Sequence, residues 1–254
     1  MKYGISNLSI IPMRSEASDK SEMVNQILFG EQFQIIEQRS KFSKVRLLHD
    51  KYEGWICNKQ VSEVDKDTYD KLIDTEKFFT TDILDIIKSD YLQTIVIGSV
   101  IPSLSNGEFH LDNIVYSFDG PHTIGVKEKS NLCINAMMYL NSPYLWGGRT
   151  PFGIDCSGFS QIIYRLNGFD IPRDAYKQAE IGTTLSFVEE SEAGDLAFFD
   201  DKDGSIIHVG IILEDNYIIH ASGKVRIDRI DQQGIFNTNL GIHTHKLRLI
   251  KSII

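Results

Sequence analysis

The sequence predicts an α+β chain, with short β-strands through its first half and a helix followed by an antiparallel sheet in its second. Three observations carry this. Up to about residue 63, segments rich in β-branched and aromatic residues alternate with turn-formers. From about residue 127 the apolar residues switch to helical spacing. Further on, two strand-like runs flank the turn-like "EDN".

Residues 1–63 hold the strand-like "SIIPM", "EQFQIIEQ", "FSKVRLL" and "EGWIC", a small β-barrel pattern. "LFGEQF" and "YEGWI" resemble bacterial SH3-like domains, in which a Gly-Glu turn precedes one strand and a Gly-Trp pair opens another. In residues 64–126, "DKDTYDKLIDTEKFFTTDILDIIKSD" has room for a short helix. "LQTIVIGSVIP", "GEFHLDN" and "NIVYSFDG" read as strands of a second small β-rich domain, SH3-like or otherwise. "FDGPHTIGV" carries Gly and Pro and reads as a linker. Residues 127–254 form the third segment. "KEKSNLCINAMMYLN" places Leu132, Ala136, Met137 and Leu140 at helical intervals, and "SPYLWGGRTPFGIDCSG" is a Gly- and Pro-rich loop. In "SGFSQIIYRLNG", Phe159, Ile162, Ile163 and Leu166 share one helix face and Gly168 suits a stop. "HVGIIL" and "YIIHAS" are then the strands of a hairpin. Trp55 and Trp146 read as packing residues.

Of the residues, 42% are hydrophobic, which suits a globular domain or a few small ones, and no apolar run approaches the roughly 18 residues of a membrane span. The net charge of −9 comes with lysines scattered among acids, not gathered in a basic stripe. Nucleic acid and anionic membranes are therefore not expected partners; a small ligand held by local groups is compatible. The three cysteines, Cys57, Cys133 and Cys156, are odd in number and far apart, giving neither a disulfide framework nor a Cys-x-x-Cys metal pair. No cofactor or metal is expected; His243 and His245 lack acidic or Cys partners at ligand spacing. The opening residues hold no apolar stretch long enough for a signal peptide. The expected location is the cytoplasm, or the periplasm or exterior if a leader has been removed.

Cys156, in "GIDCSGF", is either a buried structural residue or a nucleophile at a helix start. At a helix start its sulfur would lie near unpaired N–H groups and the positive dipole end, which favour the thiolate. A nucleophile of this kind needs a base. His208 heads the first strand of the hairpin and His220 ends the second. The turn at 214–216 places them opposite each other or one pairing step away, so they share a face. Such a pair can serve as a base and the group that orients it. Taken singly, each could equally be an ordinary sheet residue.

Together, "YLWGGRTPFGIDCSGF", "GDLAFF", "HVGIIL" and "YIIHASG" resemble the NlpC-type cell-wall cysteine peptidases. That resemblance implies a circularly permuted papain-like fold over 127–254, a Cys-bearing helix packed on an antiparallel sheet that carries both histidines. It makes Cys156 the nucleophile, His208 the general base and His220 its orienter.

SH3-like modules ahead of such a domain resemble the γ-D-glutamyl-L-diamino acid endopeptidases of the dipeptidyl-peptidase VI type. The implied substrate is a small muropeptide, L-Ala-γ-D-Glu-diamino acid, with a free N-terminal amine; the expected protein is a monomer. The resemblance puts Glu31 and Tyr52 at substrate-facing positions. Physically, a free amine needs a carboxylate and hydrogen-bond acceptors, which Glu31, Asp155 and Tyr52 could supply. Bland alternatives are a turn-surface acid for Glu31 and a half-buried barrel aromatic for Tyr52. Tyr144 is a candidate oxyanion donor beside the backbone N–H of Cys156, or else a loop-packing residue. Ser157 either binds substrate or holds the helix start. Many relatives carry a serine where this chain has Ala175, so that contact is either missing or replaced, by Tyr176 or Asp174. Two other readings stay open: a different amide hydrolase or acyltransferase of the same fold, and a non-catalytic wall-binding module.

Overall fold

A computed structural model describes residues 2–254. The chain divides into two compact units, Met1–Gly125 and Val126–Ile254. Among the described residues, no helix is long and apolar enough to cross a membrane.

The first unit is β-rich. Seven antiparallel strands lie in the order Met23–Leu28, Ile10–Arg14, Glu53–Cys57, Phe42–Leu47, Gln32–Gln38, Lys2–Ile5 and Ser62–Val64. Alternating residues point inward, and Ile11, Met13, Ile27, Phe33, Val45, Leu47 and Ile56 form their core. The "LFGE" turn needs its glycine: Gly30 has φ +77°, and a Cβ there would lie 1.9 Å from the Val100 carbonyl oxygen. Residues 64–126 supply one helix, Lys66–Asp74, capped by the Asp65 side chain on the Thr68 amide, and two smaller sheets. Their core is not separate from the first part. Ile5 and Phe29 join Ile87, Ile95, Ile101, Phe109 and Tyr116 in one cluster. A shared core thus spans residues 1–63 and 64–126 within this unit.

The second unit opens with the helix Ser130–Met137. It is shorter than the expected stretch. Leu132 and Ala136 are buried, but Met137 and Leu140 are 43% and 40% exposed, and Tyr139 takes the inward place instead. The helix Cys156–Leu166 is buried along its whole length, as suits a central helix covered on all sides. It packs against the strand Ile206–Leu213. The sheet runs Thr183–Leu185, Ile242–Ser252, Leu196–Asp200, Ile206–Leu213, Tyr217–Ser222, Lys224–Asp231, Gly234–Asn237. Gly234–Asn237 also pairs with the first half of Ile242–Ser252, which closes six of the strands into a barrel. Ala197, Phe199, Ile212, Ile218, Ile230, Ile235 and Ile250 cluster as its core.

Candidate active site

Cys156 is the first residue of its helix, and the residue before it fixes that start. Asp155 is extended and its Oδ1 accepts the Gly158 amide at 2.7 Å, an N-cap. Its Oδ2 accepts the Gly147 amide at 2.8 Å. Arg173 forks onto both oxygens, Nη1 to Oδ1 at 3.0 Å and Nη2 to Oδ2 at 2.6 Å. Arg173 also donates to Ser157 Oγ at 2.8 Å. Asp155 and Ser157 therefore hold the helix start. The Asp155 charge is matched by Arg173, so it is not an isolated counter-charge for an amine.

The Cys156 sulfur accepts from the backbone N–H groups of Val209 and Ser157. Val209 follows His208 on its strand, so the first of these contacts sets the sulfur beside the strand that carries His208. The electrostatic expectation for the thiol is reversed. Burial, reinforced by the Asp155 charge, pushes it up to about 12, and the two amides and Arg173 only partly offset this. At rest the site holds a thiol, because desolvation outweighs the helix start.

The histidines lie on adjacent strands but not directly opposite. The three-residue turn, with Asp215 and Asn216 in left-handed conformation, pairs Leu213 with Tyr217 and Gly210 with His220. His208 is thus a diagonal neighbour of His220 on the same face. The rings meet edge to face, 5.0 Å between centroids, with His208 Nε2 and His220 Nδ1 hydrogen-bonded at 2.9 Å. Burial holds His208 well below the usual imidazole range, with His220 and His245 adding to the effect. Burial also lowers His220, against the pull of Asp228.

Two neighbours were missed in the sequence. Asp228, buried on Lys224–Asp231, takes His220 Nε2 at 3.0 Å and is forked by Arg226, Nε to Oδ2 at 2.7 Å and Nη2 to Oδ1 at 2.9 Å. In "KVRIDRID" it alternates with the polar Lys224 and Arg226, opposite Val225 and Ile227, so the pattern carries no signal of its burial. His245 stacks on His208, 4.3 Å between centroids and 27° between planes. Barrel closure brings it there from the last strand. His243 pairs instead with Asp231 at 2.9 Å.

Tyr144 is bridged to Ile154, two residues before the cysteine, and its amide donates to the Gly223 carbonyl at 3.0 Å. Burial first, then the Cys156 and Asp155 charges, push its phenol up to about 12, so it stays a donor. Ala175 starts a four-residue helical turn. Asp174 pairs with Lys177 at 3.5 Å, and Tyr176 is 52% exposed beneath that lysine. Trp55 is buried, whereas Trp146, expected to pack, is 58% exposed.

The second unit thus brings together Cys156, Tyr144, Asp155, Ser157, His208 and His220. Glu31 and Tyr52 belong to the first unit. Glu31 is buried, not a surface acid, and its Oε2 accepts the Leu28 amide at 2.9 Å, with His49 Nδ1 at 3.9 Å from its Oε1. Tyr52 is half-buried against the first core. A cavity of about 960 Å³ in the second unit is lined by Cys133, Met137, Ile212 and Tyr217, and by none of the catalytic candidates.

Residues 141–243 match the NlpC/P60 family, and residues 13–61 match the bacterial dipeptidyl-peptidase SH3 domain. The chain is 44% identical over 85 residues to a gamma-D-glutamyl-L-lysine dipeptidyl-peptidase of Bacillus subtilis, covering 33% of this chain and 28% of that protein. A protein of the same name from Bacillus cereus is 28% identical over 231 residues, 80% of this chain and 68% of the relative. The murein DD-endopeptidase MepS/murein LD-carboxypeptidase of Escherichia coli is 34% identical over 137 residues, 53% of this chain and 67% of the relative. Among solved structures, an NlpC/P60 family protein from Bacillus cereus aligns over 99% of each chain, with a TM-score of 0.83 at 20% identity.

Proposed function

The chain belongs to the NlpC/P60 family of peptidoglycan hydrolases, and from that premise we propose that it is a cysteine peptidase that cuts the γ-D-Glu–diamino acid bond of stem peptides with a free N-terminal L-Ala. The observation that carries the chemistry is the hydrogen bond between His208 and His220, with His208 on the strand whose Val209 amide reaches the Cys156 sulfur. The substrate reading is supported by the names of the two Bacillus relatives and by the dipeptidyl-peptidase SH3 match.

In this reading His208 Nε2 is committed to His220, which leaves Nδ1 to take the thiol proton as the sulfur attacks the γ-glutamyl carbonyl. The Cys156 N–H and the Tyr144 hydroxyl receive the oxyanion. Collapse breaks the C–N bond, and His208 gives its proton to the leaving amine. Water, deprotonated by His208, then cleaves the thioester and releases L-Ala-γ-D-Glu. A resting thiol and neutral imidazole mean that proton transfer accompanies attack. The protein acts as a monomer in the cytoplasm on peptides already released from the sugar.

The test is incubation with L-Ala-γ-D-Glu-L-Lys and with its meso-diaminopimelate counterpart, read by mass spectrometry. Release of L-Ala-γ-D-Glu is expected, with loss of turnover in Cys156→Ala. Full activity in that variant would remove the nucleophile assignment. Intact tripeptides beside cleaved longer stem peptides would remove the substrate assignment.

A further inference from the structure

We propose that Asp228, clamped by Arg226, is a positioning residue that sets the tautomers of His220 and His208 and so keeps the base able to accept a proton. The inference rests on the cysteine-peptidase reading above and deepens it.

The argument is a proton count along one line. His220 Nε2 lies 3.0 Å from Asp228 Oδ2, and His220 Nδ1 lies 2.9 Å from His208 Nε2. Each of these bonds needs one hydrogen, so only two arrangements of neutral rings satisfy both. In the first, Asp228 is a carboxylate and accepts from His220 Nε2–H. His220 Nδ1 is then a lone pair and accepts from His208 Nε2–H, which leaves His208 Nδ1 as a lone pair, the form a base needs. In the second, Asp228 is protonated and donates, every ring reverses, and His208 Nδ1 carries a hydrogen. That ring cannot take the thiol proton.

Arg226 decides between them. Its guanidinium donates to both Asp228 oxygens, at 2.7 and 2.9 Å, and an ionised carboxylate takes that fork far better than an acid. Burial works against ionisation of Asp228, but the bonds from His220 and Arg226 outweigh it and hold the carboxyl below the usual range. The groups facing this line are His208, His220, His245, Asp228 and Arg226. Among them only Asp228 is negative, so it also favours the imidazolium that forms during attack.

The test uses the full chain in two measurements. First, ¹⁵N NMR of the imidazoles at pH 7.5 to 8 is expected to show the Nε2–H tautomer for both His220 and His208. An Nδ1–H tautomer for His208 overturns the proposal. This reading needs no substrate, so it stands or falls apart from the choice of peptide. Second, Asp228→Asn keeps the shape but removes the charge. With the tripeptide as substrate, kcat is expected to fall by about ten- to hundredfold with KM within about threefold. The acidic limb of the rate profile is expected to move to lower pH, because the lost carboxylate no longer favours the charged imidazole. A folded Asp228→Asn with unchanged kcat and an unmoved acidic limb would reduce Asp228 to a buried ion pair and overturn the proposal.

Discussion

Gly210 faces His220 across the ladder, and a Cβ at Gly210 would lie 2.9 Å from the His220 Cβ and 2.7 Å from Ile218 Cδ1. The bare glycine is what lets the His220 ring lean diagonally to His208. Gly210→Ala is therefore expected to displace His220 and break the 2.9 Å bond between the rings. Overpacking of this kind costs about 1–3 kcal/mol, so the fold should survive in urea titration with a lowered midpoint. Turnover should fall more than that loss of stability explains. A variant as active as the parent at a temperature where both are folded would show that the ring contact is dispensable.

The second prediction concerns the thiol. With burial pushing Cys156 up to about 12 and His208 neutral at rest, the thiolate fraction at pH 7 is small. Alkylation by iodoacetamide should accordingly rise with pH through 8 to 10, about tenfold per unit while the thiol remains mostly protonated. A chelator should have no effect. A rate that is flat between pH 6 and 8 would mean a thiolate–imidazolium pair exists before substrate arrives.

The third follows from His245. Burial lowers it to about 4 from 6.5, with the His220 charge adding and Asp228 opposing. A base with a lowered folded pKa binds fewer protons folded than unfolded between those values, so stability rises with pH there. As pH falls from about 6.5 to about 4, the wild-type protein should lose stability that His245→Phe keeps, because the phenyl ring preserves the stacking on His208 without the charge. Above pH 7 the two should have similar Tm values. Parallel Tm curves across the whole range would contradict the burial argument.

The Cys156 helix and the hairpin were legible in the sequence because their signals are local. Asp155 caps, Phe159, Ile162, Ile163 and Leu166 are buried where the spacing put them, and Gly168 stops the helix at φ 86°. The facing of His208 and His220 was nearly legible. Their diagonal offset depends on a three-residue turn, and one residue of turn length changes the pairing. Asp228 and His245 were not legible as site residues: the alternation puts Asp228 with the polar Lys224 and Arg226, although its strand pairs directly with that of His220, and His245 arrives from the last strand. His245 reaches His208 only because Ile242–Ser252 pairs with Leu196–Asp200 on one side and Gly234–Asn237 on the other. The thiol's direction was misread for a related reason: the helix start is visible in sequence, whereas full burial of its sulfur is not.

The fourth prediction separates two uses of Asp155. Its oxygens already take Arg173, Gly147 and Gly158. Asp155→Ala removes a cap and strands a buried guanidinium, a loss of about 3–5 kcal/mol by the rule for broken buried pairs. The expected result is a large drop in urea midpoint. A ligand role alone would instead raise KM for the tripeptide with the midpoint unchanged, and that outcome would return Asp155 to the substrate.

The last prediction concerns the first unit and the substrate's amine. A buried ammonium needs a charged or hydrogen-bonding partner to offset its desolvation. Glu31 is a buried carboxylate anchored by the Leu28 amide, and Tyr52 brings a phenolic oxygen from the segment that opens the Gly-Trp strand. Acetylating the N-terminal L-Ala removes the charge and adds bulk, so cleavage should stop. Tyr52→Phe and Glu31→Gln should each lower kcat/KM on the free tripeptide. Losing one charge-assisted hydrogen bond costs about 1.5–3 kcal/mol, or roughly ten- to hundredfold. Glutamine keeps an acceptor for the Leu28 amide, so Glu31→Gln should lose activity out of proportion to any change in Tm. The competing reading is that this unit binds intact wall and only tethers the enzyme. In that case the acetylated peptide is cut as fast as the free one, both variants are normal on soluble peptide, and purified sacculi retain the protein. Kinetics on the two tripeptides, run side by side, distinguishes an enzyme that reads a free amine from one held near its substrate.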